Sequence, residues 1–81
     1  MAWSSKGAVV DFNKRLRHMR IVRNFTQPYV ADSVGTTLRN YQKYEQGKAR
    51  PPYETLVKLA TILNVSTDYL LGLTDEEPAD E

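Results

Sequence analysis

Residues 26–47 constrain the fold more than any other part of the chain. A single glycine, Gly35, separates two short stretches whose apolar residues recur at helical spacing. Thr26 stands where it can cap the first stretch. Pro28 falls in its first turn, where no helical N–H is needed. Tyr29, Val30 and Val34 supply apolar contacts, and Ala31 is small where a neighbouring helix would come close. Gly35 ends this helix. Thr37 can cap the next, which runs to Gln46 and stops at Gly47. Two short helices joined by a tight turn are the result.

The flanks read as helices of the same kind. Asp11 is a good cap for a helix over 12–23, in which Phe12, Leu16, Met19 and Val22 face inward. Lys14, Arg15, Arg17, His18 and Arg23 make its wet side. Asn24 can take the left-handed conformation that ends a helix, and Phe25 then falls back on the core. Lys48 begins a basic loop that closes with Pro51-Pro52, which bars helix before it and permits one after it. The following helix spans 53–63, with Leu56, Leu59, Ala60 and Leu63 on one face. Asn64 repeats the role of Asn24, and Val65 is a buried anchor. Ser66 caps a short fifth helix holding Tyr69, Leu70 and Leu71, which Gly72 closes. No strand pattern and no internal repeat emerge. The expectation is an all-α, compact five-helix domain over 11–74, preceded by a flexible arm, 1–10, and followed by an acidic disordered tail, 75–81.

Composition narrows the class further. The chain has 81 residues and no cysteine, so a single domain must hold together by helix packing, without disulfides or thiolate metal sites. No apolar run would span a bilayer, and the first ten residues lack the apolar centre of a secretory signal. A soluble, cytoplasmic protein is expected. The net charge of +1 hides an asymmetry. All eleven Lys and Arg lie between Lys6 and Lys58, whereas five of the ten acids are Asp75, Glu76, Glu77, Asp80 and Glu81. A basic body suits a polyanionic partner, though charge alone favours an ordinary solvated surface with a disordered tail.

The helix after Gly35 bears on both readings, since taken alone its polar side describes ordinary solvation and only its flanking context points further. At about 100° per residue, Tyr41, Tyr44 and Glu45 share one side. Leu38, Arg39, Gln42 and Lys43 share the other, with Asn40 at the edge. The tyrosine side suits a core in which each hydroxyl finds a partner. The other side carries chemistry that reads base edges: Arg and Lys donate to guanine, Gln pairs with adenine, and Leu touches a thymine methyl. A helix-turn-helix that presents its second helix in this way is the layout that enters a DNA major groove.

The ordered combination resembles a known family. Its elements are Arg15-Leu16-Arg17, Met19-Arg20, Phe25-Thr26-Gln27, Val30-Ala31, Val34-Gly35, Tyr44 through Lys48, Pro52, Leu56-Leu59-Ala60, and Asn64 through Gly72. Together they are similar to the Cro/CI-type, or xenobiotic-response-element-type, helix-turn-helix domains of phage repressors and small bacterial regulators. The resemblance implies a lambda-repressor-like domain whose second and third helices bind double-stranded DNA. It implies that Thr37, Leu38, Arg39 and Lys43 face the groove, with Gln42 a weaker candidate. Gln27 would contact a phosphate, Gln46, Lys48 and Arg50 would hold the backbone, and Tyr53 would open a helix whose N–H groups meet another phosphate. Arg20 and Glu45 match positions that form a largely buried salt bridge. Three positions depart from the pattern. Thr36 replaces an apolar turn residue, which predicts a looser turn. Tyr41 is bulkier than the usual aliphatic, which predicts a tilted third helix. Leu38 replaces a polar reader.

The implied function is transcriptional regulation, by a repressor that binds its operator as a homodimer. A second reading makes the chain an antitoxin or a regulatory subunit, with a protein partner docking on Trp3, Leu70, Leu71 and Leu73. An enzyme is not expected. His18 is the sole histidine and sits on a wet face, with no metal cluster, no cofactor loop and no nucleophile beside a base.

Overall fold

The computed structural model describes residues 12–74, and among these every regular element is a helix. The elements are α1 (Phe12–Val22), α2 (Gln27–Ser33), α3 (Leu38–Gln46), α4 (Tyr53–Leu63) and α5 (Thr67–Leu71). The readings made of the arm with Trp3, of the Asp11 cap and of the acidic tail lie outside the described residues. None of the described helices is long and apolar enough to cross a membrane.

Local chemistry sets the boundaries. The hydroxyls of Thr26, Thr37 and Ser66 accept hydrogen bonds from the backbone N–H of Tyr29 (3.2 Å), Asn40 (3.0 Å) and Tyr69 (2.9 Å). Each satisfies one of the donors a helix start leaves open. Pro52 begins α4 without a side-chain cap. Asn24 and Asn64 end α1 and α4 in the left-handed region, at φ 63° and 57°. Asparagine tolerates this conformation better than most side chains. At φ 76°, Gly47 ends α3 in the same way.

The core is a single cluster. Leu16 and Met19 of α1, Val30 of α2, Tyr41 of α3, Leu59 and Leu63 of α4 and Leu70 of α5 are essentially sealed from solvent. The two short helices α2 and α3 pack on each other; α3 also rests on α1, and α5 closes the far side against α1 and α4. Burying each large apolar side chain stabilises the fold by about 1.5–3 kcal/mol before chain entropy is set against it.

Some expectations change on contact with the fold. Val22 is 41% exposed: the inward line of α1 ends at Met19, and the helix stops one residue earlier than expected. Tyr29 is exposed but lies against the Phe25 ring, with centroids 4.7 Å apart. Val65 is only half-buried, because it sits in the turn between α4 and α5 rather than on either packed face. Arg15 and Arg23, assigned to the wet side, are half-buried. The Arg23 guanidinium reaches the Leu63 and Asn64 carbonyls at the end of α4, at 2.8 and 3.3 Å. Arg15 lies over the Tyr69 ring and donates to the Tyr69 and Thr74 carbonyls. Leu70 belongs to the core and is unavailable to the partner surface suggested above, since α5 turns it inward.

Candidate nucleic-acid interface

Helix α3 has two sides of different chemistry. Tyr41, Tyr44 and Glu45 are buried, whereas Leu38, Arg39, Lys43 and Gln46 are exposed and Gln42 is half-buried. Leu38, Arg39, Gln42, Lys43, Gln46 and Lys48 line one open depression along the outer side. A second depression beside it runs from Gly35 through Thr36 and Thr37 to Arg39, Asn40 and Lys43. No acidic side chain lines either. Arg39, Lys43 and Lys48 therefore give this side a positive field, with Leu38 as an apolar point within it. Thr37 stands at the helix start with its hydroxyl oxygen already accepting the Asn40 N–H. Tyr53 is 75% exposed at the start of α4. Arg50 lies apart, in a small hollow with Phe12, Pro51, Leu56 and Leu71.

The turn before α3 is held by polar contacts. The Asn40 side-chain amide donates to the Thr36 hydroxyl (2.8 Å) and to the Tyr44 hydroxyl (3.0 Å). Thr36, Asn40 and Tyr44 are spaced by four, so they stack along one edge of the helix. A threonine thus anchors by hydrogen bonding a turn expected to be loose for want of an apolar residue.

Beneath the outer side lies a buried ionic centre. Arg20 of α1 meets Glu45 of α3 in a two-pronged pair, Nε to Oε2 at 2.6 Å and Nη2 to Oε1 at 3.2 Å. The third nitrogen of Arg20 donates to the Phe25 carbonyl at 3.0 Å. The Tyr41 hydroxyl donates to Glu45 Oε2, and the Gln27 amide nitrogen donates to Glu45 Oε1 at 3.0 Å. Burial pushes the Glu45 carboxyl up, but the hydrogen bonds from Arg20, Tyr41 and Gln27 together hold it below the ordinary value. The hydrogen bond to Glu45 raises Arg20. Burial, and then the bond to Glu45, push the Tyr41 hydroxyl far above its usual range. Such a pair costs desolvation and is tolerated because every polar atom is met; no buried side-chain polar atom among the described residues lacks a partner. Its geometric effect is to join α1, the start of α2 and α3 at one point. The bulky Tyr41 ring is fully enclosed, and its hydroxyl is one of the groups that hold Glu45.

One link escaped sequence reasoning. The Gln42 amide nitrogen donates to Gln27 Oε1 at 3.2 Å. Helical spacing puts Gln42 on the outer side but cannot say that α2 lies close enough to meet it.

A short cationic helix, presented outward and held on a second helix by a tight turn, defines a helix-turn-helix domain. A family model described as a helix-turn-helix domain matches residues 13–76. The chain belongs to this family and to its Cro/CI-type branch. It is 48% identical over 60 residues to the SPbeta prophage-derived HTH-type transcriptional regulator YonR of Bacillus subtilis, covering 74% of this chain and 56% of that one. It is 45% identical over 69 residues to the CTXphi transcriptional repressor RstR of Vibrio cholerae, covering 83% of this chain and 62% of that one. The chain thus spans little more than half the length of these relatives. Among solved structures, it is similar to the P22 c2 repressor bound to a synthetic operator, with a TM-score of 0.71 and 28% identity over 74% of this chain and 91% of that one.

Proposed function

We propose that this chain is the DNA-binding domain of a transcriptional repressor, and that α3 enters the major groove of an operator bound by two copies. The observation that carries this reading is the outer side of α3, where Leu38, Arg39 and Lys43 stand exposed on a helix whose other side is locked into the core. Relatives named as phage repressors, and a neighbour solved on operator DNA, support it. Thr37, Leu38, Arg39 and Lys43 meet base edges: Arg39 and Lys43 as donors to guanine, Leu38 against a thymine methyl. Gln42 stands beside them. Gln27, Gln46, Lys48 and Arg50, with the N–H groups at the start of α4 near Tyr53, hold the phosphates and set the register. Cationic contacts release counterions and give general affinity, while α3 gives choice among sequences. Occupying the operator is itself the repressive act.

The direct test is selection of binding sites from a random duplex pool. The expected result is a two-fold symmetric sequence whose preference at one base step disappears in Arg39→Ala. Enrichment of no sequence by the wild type, or an Arg39→Ala protein with unchanged preference, would overturn the assignment.

A further inference from the structure

The Gln42–Gln27–Glu45 chain of hydrogen bonds has a fixed polarity. Glu45 is the inner end, and an ionised carboxylate only accepts. Gln27 must therefore present its NH₂ to Glu45, which it does at 3.0 Å. This turns its carbonyl oxygen away from the ionic centre, where it takes a hydrogen bond from Gln42 Nε2 at 3.2 Å. Neither amide can flip without setting two acceptors or two donors against each other. Glu45 is itself fixed by Arg20 and by the Tyr41 hydroxyl. The direction of every amide thus follows from a buried charge.

We propose that Gln42 is the positioning residue for Gln27, and that it acts on DNA through Gln27 rather than by reading a base. The inference rests on the reading of α3 as the groove helix. By inventory, Gln27 keeps one amide hydrogen beyond the bond to Glu45, and a phosphate oxygen needs a donor of this kind. Gln42 clamps the carbonyl end of the same amide. It holds the amide plane and, by polarising the group, strengthens the remaining N–H as a donor. The bond ties the half-buried Gln42 amide to α2, whereas Leu38, Arg39 and Lys43 stand exposed and project from α3 alone. The outer side of α3 then divides its labour: Arg39, Lys43 and Leu38 distinguish bases, while Gln42 serves the phosphate contact at the start of α2.

The test uses the whole chain and the duplex that the wild type selects. Gln42→Ala should weaken binding about three- to tenfold, the range for losing the benefit of one hydrogen bond, and should select the same base sequence as the wild type. The double variant Gln27→Ala/Gln42→Ala should bind no more weakly than Gln27→Ala alone, because Gln42 has nothing left to position. In the free protein, the Gln27 side-chain amide resonances should shift in Gln42→Ala and in Gln42→Glu, which is isosteric but has no N–H, while backbone resonances of α4 and α5 stay in place. A changed base preference in Gln42→Ala, additive losses in the double variant, or unmoved Gln27 amide resonances would each overturn the inference with the reading of α3 intact. A wild type that enriches no sequence would overturn both.

Discussion

Glu45 is a carboxylate kept charged inside the domain by Arg20, Tyr41 and Gln27. Tyr41→Phe removes only a hydroxyl, yet it takes one donor from a buried charge. It should destabilise the fold by about 1–3 kcal/mol, read from denaturant unfolding. The pH dependence has a definite sign. The folded chain holds Glu45 below its ordinary value, so the unfolded chain takes up that proton first as pH falls. The contribution is complete above about pH 4.3, the unfolded value, and is lost as pH drops from there through the lowered folded value. Glu45→Gln should be less stable than the wild type at pH 7 and should lack this part of the acid decline in Tm. Parallel Tm-against-pH curves would contradict it. On the outer side, Arg39→Ala should cost about 1–3 kcal/mol of binding and relax choice at one base step, whereas Lys48→Ala should weaken all sequences alike and reduce the log–log salt slope by about 0.9. Equal salt slopes for Lys48→Ala and wild type would remove Lys48 from the phosphate set. Residue types and helical spacing made the exposed side of α3 legible. They did not show the bond between Gln42 and Gln27, because spacing within one helix carries no information on how near another helix lies.

At the scale of the element, α3 has nine residues, too few to persist as an isolated helix. It owes its form to its cap, its left-handed end at Gly47 and the burial of Tyr41 and Tyr44. Its cap also holds the turn that carries Leu38 and Arg39. Thr37→Ala should therefore cost about 1 kcal/mol of stability and weaken operator binding as well, since fraying begins at the residues assigned to the bases. Ser66→Ala removes the equivalent bond at α5. It should cost a similar amount of stability and leave binding unchanged when both are measured well below Tm. Equal binding by the two variants would separate the cap of α3 from its reading role. The caps, the Asn and Gly stops and the inward lines of the helices were legible because they depend on neighbours in sequence. Among apolar residues the errors fell near helix ends and turns, at Val22, Tyr29 and Val65; among polar ones they fell on long cationic side chains. Arg15 and Arg23 start on the flank that periodicity calls wet, and their length carries the guanidinium to carbonyls of α5 and α4. Polar type predicts exposure of the head group only where no helix end lies within reach.

At the scale of the molecule, one helix of nine residues touches few base pairs, so specificity in a genome requires a second reading helix. The domain measures 38 × 30 × 19 Å. Half-sites on one side of B-DNA repeat about every 34 Å, one helical turn. With the 38 Å dimension along the duplex, two copies at that spacing would touch edge to edge, each with its own α3 in the groove as proposed. The expected complex on a two-fold symmetric duplex is two chains to one DNA, measured by analytical ultracentrifugation, with the second copy binding more tightly than the first. Inserting about five base pairs between the half-sites turns them to opposite sides of the duplex. Each copy should then bind as it does to an isolated half-site, and cooperativity should vanish. Inserting a full turn restores the facing but doubles the separation to about 68 Å, beyond the longest dimension of the domain, so cooperativity should stay absent for these residues. Cooperativity that survives the full-turn insertion would mean that the copies communicate through the DNA rather than through an edge contact. A one-to-one complex on the unmodified duplex would refute the dimer.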